Sequence, residues 1–335
     1  MEIFYNLNLF KKMLVDEYPF LRKFVKVNYG LLPDIEDSRA YIMGASNNKL
    51  NWKILKPDSN WLPEAERMVN EVQKSGLLET MNCTRFSLNN VKEMIHINKW
   101  NETYNYNDRF PGNLQGTTRS GNSMQRQLEV DRTIGCIKEE DWPWDKEKFN
   151  WNDYYATPPA NLLEKGKKWT KDYVFGYDSV WATRSMVIEA LKYSPLYVGL
   201  FAWYRRGMLY FSTGNPNHAS TIINRKQFMC YDSYNPFIKN LDENFKLYYV
   251  KRIYLEKTDQ VFDANMVKSL LKRGFLYIQR TDRANGGVGQ VYLLTKDGNA
   301  IEMSEQLKME AGIQGLAQRG DLTGISEKDF YNLLK

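Results

Sequence analysis

The hydrophobic pattern of this chain changes period near Leu196, and that change removes most folds from consideration. Before it, apolar residues recur at helical spacing. In "CTRFSLNNVKEMIHINKW", Phe86, Asn90, Val91, Met94 and Ile95 step by threes and fours, with Thr80 and Asn82 placed to cap the start. After it, "LYVGLFAWYRRGMLYFST", "NHASTIINRKQFMCYDSY" and "KLYYVKRIYLEK" are rich in Val, Ile, Tyr and Phe with short turns between, the pattern of antiparallel strands. Helices first and sheet second predict an α+β domain ending near Lys257.

The remaining segments follow from local signals. A helix is expected from about Pro63 to Lys74, with Glu64 and Glu66 in its first turn, and another ending near Gly135 ahead of the "WPW" run. Residues 31–64 read as mostly irregular, and 150–195 as mostly helical and polar. The first 27 residues read as an amphipathic helix whose interleaved charges do not fit a secretory signal. After "TDQVFDAN" the composition resets. Residues 259–335 are expected to form a small C-terminal module with a short helix, a strand pair joined by "RANGGV" and closing helices. The glycines Gly286, Gly287 and Gly289 fit a hairpin turn better than a phosphate cradle, since no Lys-Ser/Thr pair follows them.

Composition excludes several function classes. No run of about 18 apolar residues exists, so no membrane span is expected. The net charge of +6 is spread among acids without a basic block, so nucleic-acid binding is not expected. Three cysteines, Cys83, Cys136 and Cys230, are too scattered for a disulfide framework and contain no CxxC pair, which fits a reducing compartment and no metal site.

Cys83 opens the predicted helix, where unpaired backbone N–H groups and the helix dipole favour a thiolate. A lone helix cysteine is more often a small core residue, and a nucleophile needs a base. The chain has two histidines. His96 lies on the same helix, roughly 20 Å from Cys83 at about 1.5 Å per residue, which leaves His218. Asp232, at the end of the next strand, is placed to orient it. A hairpin with an odd-length turn or a bulge would set His218 and Asp232 directly opposite on one face.

The order Cys83, His218, Asp232, with the last two following the cysteine by about 130 to 150 residues, resembles that of the papain-like cysteine peptidases. "NCTRFSLNNV" is similar to the active-site helix of that family, "NHAST" to its His-Ala segment and "YDSYNPF" to its Asn-Ser-Trp segment. "SGNSMQRQLEVDRTIGCIKEEDWPWD" resembles the Gly-rich turn, helix and Tyr-Pro-Tyr stretch, "SPLYVGLFAW" the strand after "GP", and "PDIEDSRAY" the mature amino-terminal segment. The likeness runs from about residue 34 to 256 and is strongest to divergent microbial and phage members.

The resemblance implies a two-lobed fold, a helical left lobe and an antiparallel β right lobe, over residues 34–258, with 1–33 ahead of it and a small α/β appendage behind. It makes Cys83 the nucleophile, His218 the proton acceptor and later donor, and Asp232 the orienting group, with acyl transfer through a thioester. The backbone N–H of Cys83 would supply one oxyanion donor. The family's second donor is a Gln six residues before the Cys; here that position is Leu77, and Gln73 is the nearest candidate if an insertion brings it into place. Gly121 and Asn122 stand where the family holds substrate backbone with Gly-Gly. The segment before residue 34 is shorter than the family's usual inhibitory prosegments, so either no activation step or a partner-binding helix is expected.

The function implied is a thiol peptidase acting on peptide or protein, without a cofactor, in the cytoplasm or associated with a virion. The competing expectation is an inactive papain-like scaffold used for binding or assembly. In either case the amino-terminal helix and the C-terminal module are the surfaces expected to meet a protein partner.

Overall fold

The computed structural model describes residues 29–34, 52–75, 78–144, 150–226 and 228–258, together with three strands beyond them. The chain divides into two compact units, the first built mainly from residues 52–170 and 175–255 and the second mainly from 256–335. The expected amino-terminal helix lies outside the described residues.

In the first unit the elements before the sheet are β1 (Leu31–Leu32), α1 (Leu62–Ala65), the short hairpin β2 (Lys74–Ser75) and β3 (Leu78–Glu79), α2 (Cys83–Trp100), α3 (Phe110–Leu114), β4 (Asn122–Ser123), α4 (Met124–Thr133), α5 (Trp151–Tyr154) and α6 (Ala160–Asp172). Then follow β5 (Tyr173–Ser179), α7 (Arg184–Ala190), β6 (Leu196–Leu200), β7 (Tyr204–Arg206), β8 (Leu209–Phe211), β9 (His218–Asn224), β10 (Met229–Tyr231), β11 (Ile238–Leu241) and β12 (Leu247–Lys257). β5 to β12 form one sheet in the order β5-β12-β6-β9-β10-β11-β8-β7. The pairs β6–β9, β9–β10 and β10–β11 are antiparallel, and β8–β11 is parallel.

The change of pattern at Leu196 therefore marks the entry into the sheet's centre. All seven residues of β9 are buried, because neighbouring strands cover its edges and packed layers cover both its faces. On one face lies α2, whose Ser87 hydroxyl is 3.2 Å from that of Thr221 while the Thr221 hydroxyl donates to the Ser87 carbonyl at 3.0 Å. The apolar core around Trp61, Leu191, Ile223 and Phe228 closes the unit. α2 begins at Cys83 as expected, is buried from Cys83 to Ile97, and ends where Asn101 adopts the left-handed conformation that short polar side chains tolerate.

Several local expectations change. The helix expected over 63–74 is a single turn, Leu62–Ala65, because the following chain leaves helical pairing for the sheet side, where the Gln73 N–H donates to the Ser233 carbonyl. Asn82 holds the N-cap position of α2 without capping it; its side chain donates instead to the Asp108 carbonyl and the Tyr154 hydroxyl. The polar stretch 150–195 contains strand β5 as well as helices. The second unit shows β13 (Tyr277–Arg280) and β14 (Gln290–Leu294) as the expected antiparallel pair, with a third strand, β15 (Ala300–Glu302), added. Its helices and its glycine turn lie outside the described residues. Among the described residues no helix is long and apolar enough to cross a membrane, and no cluster of His, Cys, Asp and Glu could hold a metal ion.

Candidate active site

Cys83 is the first residue of α2 and is fully buried. His218 is the first residue of β9, the strand on which α2 packs, and it too is fully buried. The Ser87–Thr221 contact packs α2 on β9; Cys83 lies one helical turn before Ser87, and His218 three strand residues before Thr221. Tyr234 links the two, since its ring packs 5.5 Å from the imidazole while its phenol is pushed well above its usual range by burial first, then Glu79, with Cys83 and Asp232 adding. His96 sits farther along α2, hydrogen-bonded to Tyr106 at 2.7 Å and surrounded by Trp100 and Tyr104.

His218 Nε2 donates to Asp232 Oδ1 at 2.6 Å. The register differs from the expected one. A bulge between Met229 and Cys230 sets Tyr231 opposite Thr221, so Asp232 continues toward Ser220, and His218 meets it as a diagonal neighbour on the same face. Asp232 Oδ2 accepts from Lys239 Nζ at 2.8 Å, and that ammonium also donates to the carbonyls of Tyr234 and Pro236 at 2.6 and 2.5 Å. Burial pushes the Asp232 carboxyl up, but Lys239 and then His218 hold it below its usual value. An ionised carboxylate only accepts, so it fixes the proton on Nε2 and leaves Nδ1 with the lone pair in the neutral ring. Nδ1 is buried and has no hydrogen-bond partner among the described residues. Tyr29, Trp203 and Tyr234 box the imidazole at ring separations of 5.3–5.5 Å, which excludes water from it.

Lys239 has no counterpart in the sequence reading. Its signal was available: in β11 it shares the buried face with Leu241, and a lysine at an inward strand position needs an anion.

Gln73 is buried on the other side of the same cluster. Its Nε2 donates to Glu79 Oε1 at 2.7 Å and to the Tyr234 hydroxyl at 2.6 Å, and lies 3.4 Å from the Tyr29 carbonyl; its Oε1 accepts from the Ser233 hydroxyl at 2.7 Å. The hairpin β2–β3 lies between Gln73 and Cys83 and accounts for their wide spacing in sequence.

Gly121 and Asn122 are met by the chain itself. β1 pairs in parallel with β4, Leu31 against Asn122 and Leu32 against Ser123, and the Asn122 N–H donates to the Gly30 carbonyl at 2.9 Å. Gly30 and Gly121 both have positive φ, and a Cβ on Gly121 would fall 1.9 Å from the Gly30 oxygen, so only glycine permits this crossing. The Tyr29 N–H donates to the Asn217 carbonyl at 2.9 Å, and Leu31 points at Gly199, where an added Cβ would meet its Cδ2 at 3.2 Å and the Met124 sulfur at 3.4 Å. Residues 29–32 thus pass along Asn217 and His218, Gln73, Met81 and Gly121, bending at Gly30. No local pattern in the sequence announced this.

No family profile matches the chain, and no curated protein matches it. Solved structures do. The cysteine protease xylellain from Xylella fastidiosa superposes with a TM-score of 0.50 at 14% identity, over 68% of this chain and 95% of that one. Digestive procathepsin L 3 from Tenebrio molitor larval midgut covers 70% of this chain and 78% of its own at 13% identity and a TM-score of 0.44. The proform of the ragweed pollen cysteine protease Amb a 11 covers 61% and 67% at 14% identity and 0.44. Helices followed by a large, mostly antiparallel sheet, together with the likeness to xylellain over nearly all of its length, identify the fold as papain-like α+β.

Proposed function

We propose that this chain is a thiol peptidase in which Cys83 attacks a peptide carbonyl, His218 accepts the thiol proton at Nδ1 and returns it to the leaving amine, and Asp232 holds the imidazole. Water then hydrolyses the thioester. The observation that carries this reading is the His218–Asp232 hydrogen bond of 2.6 Å, which leaves a buried Nδ1 without a partner among the described residues. Gln73 and the Cys83 backbone N–H are the oxyanion donors, and Gly121 and Asn122 line the cleft that an extended peptide enters.

Residues 30–32 pair with Asn122 and Ser123, the ground this reading gives to substrate, so the full chain is expected to turn over slowly until the segment is displaced. The same filled cleft favours a second reading, a papain-like scaffold that binds or assembles without turnover. Labelling with iodoacetamide or an epoxysuccinyl probe at about pH 6, with peptide mapping of all three cysteines, separates them. Selective labelling of Cys83, lost in His218→Ala and faster in Leu31→Asp, which should unseat the segment from Gly199 and Met124, supports the peptidase. Labelling of Cys83 no faster than an ordinary thiol, in parent and Leu31→Asp alike, supports the scaffold.

A further inference from the structure

Every hydrogen-bonding atom of the Gln73 side chain is engaged, and its partners differ in what they can dictate. The Ser233 and Tyr234 hydroxyls can each donate or accept, so neither fixes which end of the amide faces which way. Glu79 can. It is buried, and three donors converge on it: Gln73 Nε2 at 2.7 Å, the Tyr234 hydroxyl at 2.5 Å and the Met81 N–H at 3.4 Å. That is the surrounding of an acceptor-only carboxylate, and a flipped Gln73 would set its carbonyl oxygen against a negative charge. Gln73, Tyr234 and Glu79 close a ring of three hydrogen bonds, and Ser233 and Tyr234 directly follow Asp232. Glu79 comes from the β2–β3 hairpin, the same insertion that separates Gln73 from Cys83.

We propose that Glu79 is a positioning residue. Its carboxylate holds one N–H of the Gln73 amide and so fixes which end is the nitrogen; the second N–H is shared between the Tyr234 hydroxyl at 2.6 Å and the Tyr29 carbonyl at 3.4 Å, and it turns from the hydroxyl to the carbonyl received by the cleft. The proposal rests on the thiol peptidase reading, in which that N–H meets the oxyanion.

The test uses the full chain, a leucine-containing fluorogenic peptide amide, and Glu79→Gln, which preserves shape but can present either end of its own amide. kcat is expected to fall about tenfold or more, with KM within about twofold. Iodoacetamide labelling of Cys83 should stay within about twofold of the parent, because alkylation develops no oxyanion. Glu79→Asp, which keeps the carboxylate on a shorter arm, should recover part of the loss. An unchanged or raised kcat in Glu79→Gln, or a labelling rate that falls in step with kcat, overturns the proposal. If neither the parent nor Leu31→Asp turns over substrate, the peptidase reading fails by itself, and hydrogen exchange of the Gln73 side-chain amide by NMR decides the lock. Exchange accelerated about tenfold or more in Glu79→Gln supports it, and unchanged exchange overturns it.

Discussion

Two buried aspartates in this molecule each take two side-chain donors, one on each oxygen, and only one of the arrangements leaves an imidazole nitrogen of a partner without a hydrogen bond among the described residues. Asp131 takes Arg85 on Oδ1 and Lys92 on Oδ2, and both cations also donate to Cys136 Sγ, at 3.3 and 2.9 Å. Asp232 takes His218 on Oδ1 and Lys239 on Oδ2. In both, burial raises the carboxyl and the two partners overcome it, leaving each aspartate below its usual value. The difference is one partner. Asp131 spends both oxygens on Arg85 and Lys92, and burial pushes the Cys136 thiol up to about 11, so that cluster is locked. His218 instead keeps Nδ1 without a hydrogen-bond partner among the described residues.

The sharpest break of the comparison is at the cysteines. Under the proposed mechanism Cys83→Ser is expected to cut turnover by about 10⁴-fold or more, whereas Cys136→Ser leaves kcat within a few-fold. Steady-state hydrolysis of a peptide amide by both variants checks this. Equal losses would mean that Cys83 has no special role.

Asp232→Asn is the next largest. Asp232 serves His218 and Lys239 with separate oxygens, but asparagine has a single carbonyl. The buried ammonium is the stronger claimant, so the amide N–H₂ turns to His218 and drives the proton from Nε2 to Nδ1, the wrong tautomer for accepting a thiol proton. A loss of about 10³-fold is expected, on the scale of other wrong-tautomer variants. Adding Lys239→Met frees the carbonyl for His218 and should restore most of the activity. No recovery in the double variant would remove Lys239 from the argument.

At the locked cluster the effect falls on stability. Asp131→Ala strands Arg85 and Lys92, both fully buried, and should cost about 3–5 kcal/mol in a urea titration. Lys92 keeps a cation–π contact with Tyr106 at 4.1 Å, which softens but does not replace the lost anion.

How much of this was legible in the sequence depends on whether the signal was local. The period change at Leu196 and the start of α2 are local, and both read correctly. The choice of His218 over His96 as the proposed base rested on helix geometry alone. The His218–Asp232 pairing was read as directly opposite and is diagonal, because the bulge at Met229/Cys230 shifts register by backbone choices that alternation does not encode. The helix expected after Pro63 gave way to pairing with Ser233, a long-range bond that outweighs modest propensity. Segment 29–32, Lys239 and the Glu79 ring are likewise contacts between distant pieces of chain. Of these, the lysine at an inward position of β11 left a trace in the alternation.

Glu93 sharpens the comparison from the opposite side, as a buried carboxyl near the same cations that is not held ionised. Arg85 and Lys92 pull it down, but Asp131 already claims them. Burial and then Glu71 push it up to about 8, while the Tyr106 N–H donates to it at 2.9 Å. A carboxyl raised from 4.5 favours the folded state fully below about pH 4.5, and that contribution is lost as pH rises toward 8, because the unfolded chain releases the proton first. The sign is opposite for Asp131 and Asp232, whose contributions are present above about pH 4 and fade as pH falls further. Between about pH 5 and 8 the parent should therefore lose on the order of a few kcal/mol through Glu93. Glu93→Gln, neutral at every pH and able to accept the Tyr106 N–H, should flatten that slope and be the more stable protein at pH 8 in a urea titration. A slope unchanged by the substitution would mean that Glu93 is ionised in the fold, and that Arg85 and Lys92 serve two carboxylates instead of one.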